Sequence, residues 1–304
     1  MTLILNLSRR GLLAILLVFM CVPGWSQEQA QPQKPVMVAG GGGTKIAVYE
    51  YGNPAGPAVL FVHGVSQSHL SWARQYKSPA LQNLRMIVID LRGHGASEKP
   101  SNAKSYTNSK MWANDINAVI KAKNLRKPAI VGWSYGGYVI TDYVREYGVG
   151  SLGGVVFVDA GTQAGTEAAK AHFGAGSKPL GGMLDSRQEI NIPATAEFIK
   201  NCTVKPLSAD DFLETFAYNM AVSPEVRLAM MSRRTDGNDA LAKITVPVLV
   251  VQGEKDTVVL PAGSDYIAER VKHARKSYYP NAAHMPFFED PERFNRELAE
   301  MASK

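Results

Sequence analysis

Val131-Gly132-Trp133-Ser134-Tyr135-Gly136-Gly137 is an apolar run interrupted by a serine with glycines two residues to either side. The residues before it, Lys127-Pro128-Ala129-Ile130-Val131, are short and apolar enough for a buried strand. Those after it, Tyr138 to Arg145, space their apolar positions as a helix does. A serine pinned between strand and helix reads as a G-x-S-x-G elbow, a sharp turn that holds the residue in a strained conformation with its Oγ projecting from the sheet. Strand and helix nearly collide at such a turn, which leaves no room for Cβ atoms at the flanking positions. The five-residue pattern is common by itself, so its weight comes from the strand before it and the helix after it.

The same alternation extends outward from the elbow. Ala58–Val62 is a buried-strand run that leads into His63-Gly64-Val65, and Arg85–Asp90 is another that empties into Leu91-Arg92-Gly93-His94-Gly95-Ala96-Ser97. Trp72–Leu84 and Lys110–Lys123 read as helices, and Gly153–Asp159 as a further strand. Continuous apolar strands alternating with helices predict an α/β fold with a mostly parallel, doubly wound sheet covered on both faces. From about 161 to 243 the alternation stops. Helical segments around Ala194–Lys200, Ala209–Met220 and Pro224–Arg233 replace it, and a stretch this long is not a plain connection. It is expected to be a helical cap inserted after strand 6. Alternation resumes with Val246–Gln252, a helix around Ala262–Lys272, a strand at Lys276–Tyr279 and a closing helix after Pro291.

Ahead of the globular part, residues 1–26 carry Arg9-Arg10, an apolar core from Gly11 to Val22, and Gly24-Trp25-Ser26, the layout of a cleaved export signal. The expected destination is the periplasm or the exterior, by either the general or the twin-arginine route. Residues 27–35 are Gln/Pro-rich and expected to be a disordered leader, leaving 36–304 as the folded domain. Losing Arg9 and Arg10 takes the formal charge from +6 to +4, and no basic run stands out, so nucleic acid is not an expected partner. The apolar core is too short for a membrane span, and none is expected in the mature chain. Of the two cysteines, Cys21 leaves with the signal; Cys202 then has no partner for a disulfide and no neighbour arranged to activate it. Gly40-Gly41-Gly42-Gly43 precedes an alternating strand rather than Gly-Lys-Ser/Thr and a helix, so it reads as a hairpin turn and not a phosphate loop. The sequence is silent on oligomeric state.

An elbow serine needs a base, and the base needs an acid to orient it. Asp256 follows the strand that ends at Gln252, and His284 follows the last strand; the chain order is Ser134, Asp256, His284. All three fall at the carboxyl ends of strands, where parallel sheets gather their sites. Asp159 also ends a strand and is the alternative acid. His63 and His94 lie beside glycines and read as loop braces, while His69, His172 and His273 show no metal-ligand spacing.

His63-Gly64, Asp90–Ser97, Gly132–Gly137, Gly253-Glu254-Lys255-Asp256 and His284–Glu292 together resemble the α/β-hydrolase superfamily, and within it the esterase and cofactor-free haloperoxidase-like group. The resemblance covers about residues 45–300 and is weakest in the cap. It implies the α/β-hydrolase fold, Ser134 as nucleophile, His284 as base and then acid, and Asp256 as the group that fixes the imidazole. It also implies an oxyanion hole built from the backbone N–H groups of Val65 and Tyr135. Trp133 and Phe287 flank these positions and are candidates for the substrate pocket. Neither a metal nor a cofactor is expected, and the expected ligand is a small acyl substrate: an ester, lactone or amide. Carbon–carbon bond hydrolysis, perhydrolysis and a non-catalytic binding protein are the alternatives. Two positions depart from the pattern: Ser66 stands where many relatives carry proline, and Ala283 where glycine is common.

Overall fold

The computed structural model describes residues 33–303; the export signal expected over 1–26 and residues 27–32 of the expected leader lie outside the described residues. Eight strands form one sheet: β1 Val36–Ala39, β2 Lys45–Gly52, β3 Ala58–Val62, β4 Arg85–Ile89, β5 Ala129–Trp133, β6 Gly154–Val158, β9 Val248–Gly253 and β10 Arg275–Tyr279, in the order β1-β2-β4-β3-β5-β6-β9-β10. The first strand pairs antiparallel with β2, and β2 antiparallel with β4; every pairing from β4 onward is parallel. Strands β3, β5, β6 and β9 are buried at every residue. That is why they read as continuous Val/Ile/Leu runs without alternation.

The glycine run 40–43 turns the chain from β1 into β2, with Gly42 and Gly43 at φ 65° and 79°. Helices α1 Ser109–Ala122 and α2 Gly136–Tyr147 pack together beside the elbow strand. The single helix expected over Trp72–Leu84 is instead broken into short turns, because Pro79 opens a separate turn at Pro79–Leu81.

Between β6 and β9 lie helices α3 Gln188–Asn201, α4 Ala209–Met220 and α5 Pro224–Met231, with shorter turns before them. A two-stranded antiparallel ladder closes the base of this insertion, β7 Gln163–Ala164 pairing with β8 Thr235–Asp236. Past β9, helix α6 Pro261–Arg270 and helix α7 Pro291–Ala302 complete the domain. Among the described residues no helix is long and apolar enough to cross a membrane.

A buried ion pair fixes the loop that follows β4. Arg92 donates through Nε and Nη2 to both carboxylate oxygens of Asp115 on α1, each at 2.7 Å. Its Nη2 also reaches Gly41 O at 2.9 Å, and Asp115 Oδ1 accepts the Gly41 N–H at 2.8 Å. The glycine turn, the loop and the helix are thereby locked to one another with both charges fully paired.

Candidate active site

Ser134 has φ 54°, the left-handed region that a serine rarely adopts, and its N–H donates to Val158 O at 3.0 Å. A Cβ on Gly132 would stand 2.5 Å from Ile140 Cδ1, and one on Gly136 would stand 2.6 Å from Val62 O. Both flanking glycines are therefore required by close approach of strand and helix. The turn presents Ser134 Oγ to the loop after β10.

There the hydrogen bonds form a chain. Ser134 Oγ lies 2.9 Å from His284 Nε2, and His284 Nδ1 lies 2.7 Å from Asp256 Oδ2. Asp256 Oδ1 accepts the N–H groups of Val258 at 2.7 Å and Val259 at 3.1 Å. The histidine and the aspartate are buried, while Ser134 is partly exposed. With Nδ1–H directed to Asp256, Nε2 is left free to accept the serine proton. The alternative acid, Asp159, accepts the Gly253 N–H at 2.8 Å and lies beside this chain without a hydrogen bond to the imidazole.

The N–H groups of Val65 and Tyr135 donate to no acceptor among the described residues, so both remain available to an incoming oxygen. Two buried histidines hold the Val65 loop. His94 Nε2 accepts the Ser66 N–H at 3.1 Å while its Nδ1 donates to Arg92 O, and His63 Nε2 accepts the Leu91 N–H at 2.9 Å while its Nδ1 donates to Gly64 O. Burial pushes His63 down to about 4 and His94 down to about 3, so both stay neutral braces near pH 7.

Trp133 and Phe287, read from sequence as pocket residues, are placed differently. Both are in the core, 1% and 0% exposed, and Trp133 Nε1 donates to His284 O at 2.7 Å. Their rings pack edge to face at 5.0 Å, with Trp72 4.4 Å from Phe287. They brace the loop that carries His284 instead of fronting an open cleft. A cavity of about 580 Å³ lies on the outer side of that loop, against cap residues Thr203 and Lys205–Ser208, and Ser134 is not among its lining residues. Cys202 is buried with Sγ 3.3 Å from Phe198 O, and burial pushes its thiol well above the usual range, which suits an inert core position.

Arg233, in the return from the cap, was not singled out in the sequence. Its guanidinium is buried beneath the elbow, donating to Tyr135 Oη at 3.0 Å, to Ser109 Oγ at 3.1 Å and to the Asp142 carboxylate. It lies 5.4 Å from the Trp112 ring and 5.7 Å from the Tyr135 ring. The cap is thus anchored to the residue that supplies one of the free N–H groups.

Gly253 makes the site sensitive to a single methyl group. A Cβ there would lie 1.9 Å from Ala283 O and 2.6 Å from Ala282 O, the two residues ahead of His284. Gly253→Ala is expected to displace the histidine loop and lower kcat/KM by about 10²-fold, since misplacement of roughly 1 Å has that effect. Steady-state kinetics beside a circular-dichroism spectrum checks this, and an unchanged rate would contradict the packing described.

A strained serine after the fifth strand, bonded to a histidine after the last that an aspartate holds from its other side, defines a hydrolase of the α/β class. The chain belongs to the alpha/beta hydrolase family, whose model matches residues 59–297. It is 34% identical to a Burkholderia cenocepacia protein designated an aryl esterase, covering 88% of this chain and 99% of that one with a TM-score of 0.83. It is 30% identical to the esterase RhEst1 of Rhodococcus sp. ECU1013, covering 90% and 99% with a TM-score of 0.83. It is also 26% identical over 278 residues to the non-heme chloroperoxidase CPO-A1 of Kitasatospora aureofaciens, covering 86% of this chain and 97% of the relative. The fold and the family expected from the sequence motifs are both borne out.

Proposed function

We propose that this protein is a serine esterase that cleaves a small or medium carboxylic ester, or a related lactone or amide, through an acyl-enzyme on Ser134. The observation that carries the reading is the chain Ser134 Oγ–His284 Nε2 at 2.9 Å and His284 Nδ1–Asp256 Oδ2 at 2.7 Å. Ser134 Oγ attacks the carbonyl carbon as its proton passes to His284 Nε2, and Asp256 stabilises the imidazolium that forms. The carbonyl oxygen takes the negative charge and is met by the N–H groups of Val65 and Tyr135; each such donor contributes about 3–4 kcal/mol to the transition state. His284 then gives its proton to the leaving oxygen. Water, deprotonated by His284, attacks the acyl carbon and frees Ser134. The two esterase relatives support this substrate class.

Perhydrolysis is the second reading, favoured by the chloroperoxidase relative: hydrogen peroxide would replace water in attacking the same acyl-enzyme. Turnover of a panel of p-nitrophenyl esters and lactones, with and without peroxide, separates the two. Loss of turnover in Ser134→Ala is required by both. The sequence of residues 1–26 supports export of the mature chain, which N-terminal sequencing of the mature protein would test.

A further inference from the structure

Asp159 ends β6 in the left-handed region, at φ 42°, and is fully buried. The register that pairs Val158 with Val251 sets it beside the end of β9, and its Oδ1 takes the Gly253 N–H at 2.8 Å. Its Oδ2 is also buried and meets no donor. One ligand-type atom each from Asp159, Asp256 and His284 all lie within 4.8 Å of one another. Asp256 is fully supplied, by His284 Nδ1 on one oxygen and by two backbone N–H groups on the other.

The other titratable groups that face Asp159 are Glu289 after the histidine loop, Tyr278 on β10 and Cys202 at the end of α3, none of them a cation. Two buried carboxylates this close together, with one imidazole bonded to only one of them, cannot both keep their charge at moderate cost. Asp256, with three donors, holds the negative charge; Asp159, with an oxygen that no donor reaches, is the place for the proton. Burial first, and the Asp256 charge second, push the Asp159 carboxyl well above its usual range.

We propose that Asp159 is a positioning residue that is a neutral carboxylic acid at pH 7, its Oδ2–H donated to the Asp256 carboxylate. The proton comes from solvent on folding, one per chain. The donated bond keeps the charge of the pair on Asp256 and weakens its hold on the proton that His284 takes from Ser134. Only this last consequence rests on the hydrolase reading; the proton itself rests on the geometry of the two carboxyls.

The two parts are tested separately. A carboxyl that is protonated when folded and ionised when unfolded stabilises fully below the ordinary aspartate range and loses that contribution as pH rises. Asp159→Asn keeps both hydrogen bonds and takes up no proton. Its Tm should therefore match wild type near pH 4 and exceed it increasingly toward pH 7, by about 5 °C there. A difference that stays flat from pH 4 to 7 overturns the proposal, whether or not the protein turns over any ester.

The second readout is the acid limb of kcat/KM, which follows the proton on the base. The Asp159→Asn limb should superpose on that of wild type, because an amide N–H replaces the O–H. In Asp159→Ala it should move up by about half a pH unit or more, because Asp256 then holds the imidazolium more tightly. An unmoved limb in the alanine variant refutes the positioning role even where the thermal result holds. A limb that moves down in Asp159→Asn shows an ionised Asp159 and overturns the proposal. Absence of any wild-type turnover counts against the esterase reading alone.

Discussion

Ser134→Ala is expected to reduce turnover of a p-nitrophenyl ester by about 10⁴-fold or more, the loss seen when the acting nucleophile of such a unit is removed. The substitution deletes one oxygen, and with it the 2.9 Å contact to His284 Nε2. It leaves the backbone N–H groups of Val65 and Tyr135 where they are, so substrate binding persists and the deficit falls on kcat. Stability should barely change, because Ser134 is partly exposed and alanine at φ 54° keeps the same backbone strain. A purified variant with a wild-type melting curve and a retained rate would show that another group is the nucleophile. Cys202, buried with its thiol pushed up, could not be that group.

Arg233→Met is expected to destabilise the protein by about 3 kcal/mol, toward the lower end of the range for removing one partner of a buried ion pair. Asp142 is fully buried, and the variant leaves it with Arg145 Nη1 at 3.2 Å as its remaining cation. Tyr135 Oη loses its partner as well. The double variant Arg233→Met/Asp142→Leu should recover much of that loss, because no charge is then left stranded. Urea unfolding measures both. A loss well under 1 kcal/mol for the single variant would mean that the cap is held elsewhere and that this ion pair is dispensable.

What was legible in the sequence was what neighbouring residues determine together. Gly132 brackets Ser134 because a Cβ there would meet Gly136 and Ile140 of the following helix, a contact local in the chain, whereas Gly136 is required by Val62 O of the neighbouring strand. Buried parallel strands announce themselves as unbroken apolar runs, so β3, β5, β6 and β9 could be read directly. Asp256 is legible because it follows the apolar run of β9, and His284 because it follows the last strand, β10; their 2.7 Å contact follows from sheet order. His63 and His94 were correctly read as loop braces, since each sits against glycine in a tight turn.

The remainder depends on partners that are distant in sequence. Arg233 beside Arg234 looks like any exposed basic pair until β8 closes on β7 and carries Arg233 beneath Tyr135. Trp133 and Phe287 stand next to site residues in sequence, yet their rings turn into the core behind the histidine loop. Strand β1 is only four residues long and follows a Gln/Pro-rich leader, which hides its pattern. From sequence, Asp159 reads only as a substitute for Asp256. That both carboxyls crowd one imidazole emerges from the register between β6 and β9.

The most direct test is covalent. The protein is treated with a fluorophosphonate near pH 7, digested and read by mass spectrometry. One adduct per chain on the peptide carrying Ser134, absent in Ser134→Ala and strongly slowed in His284→Ala, is the predicted result. An unlabelled Ser134 in folded protein, or labelling that proceeds at the same rate without His284, would contradict it.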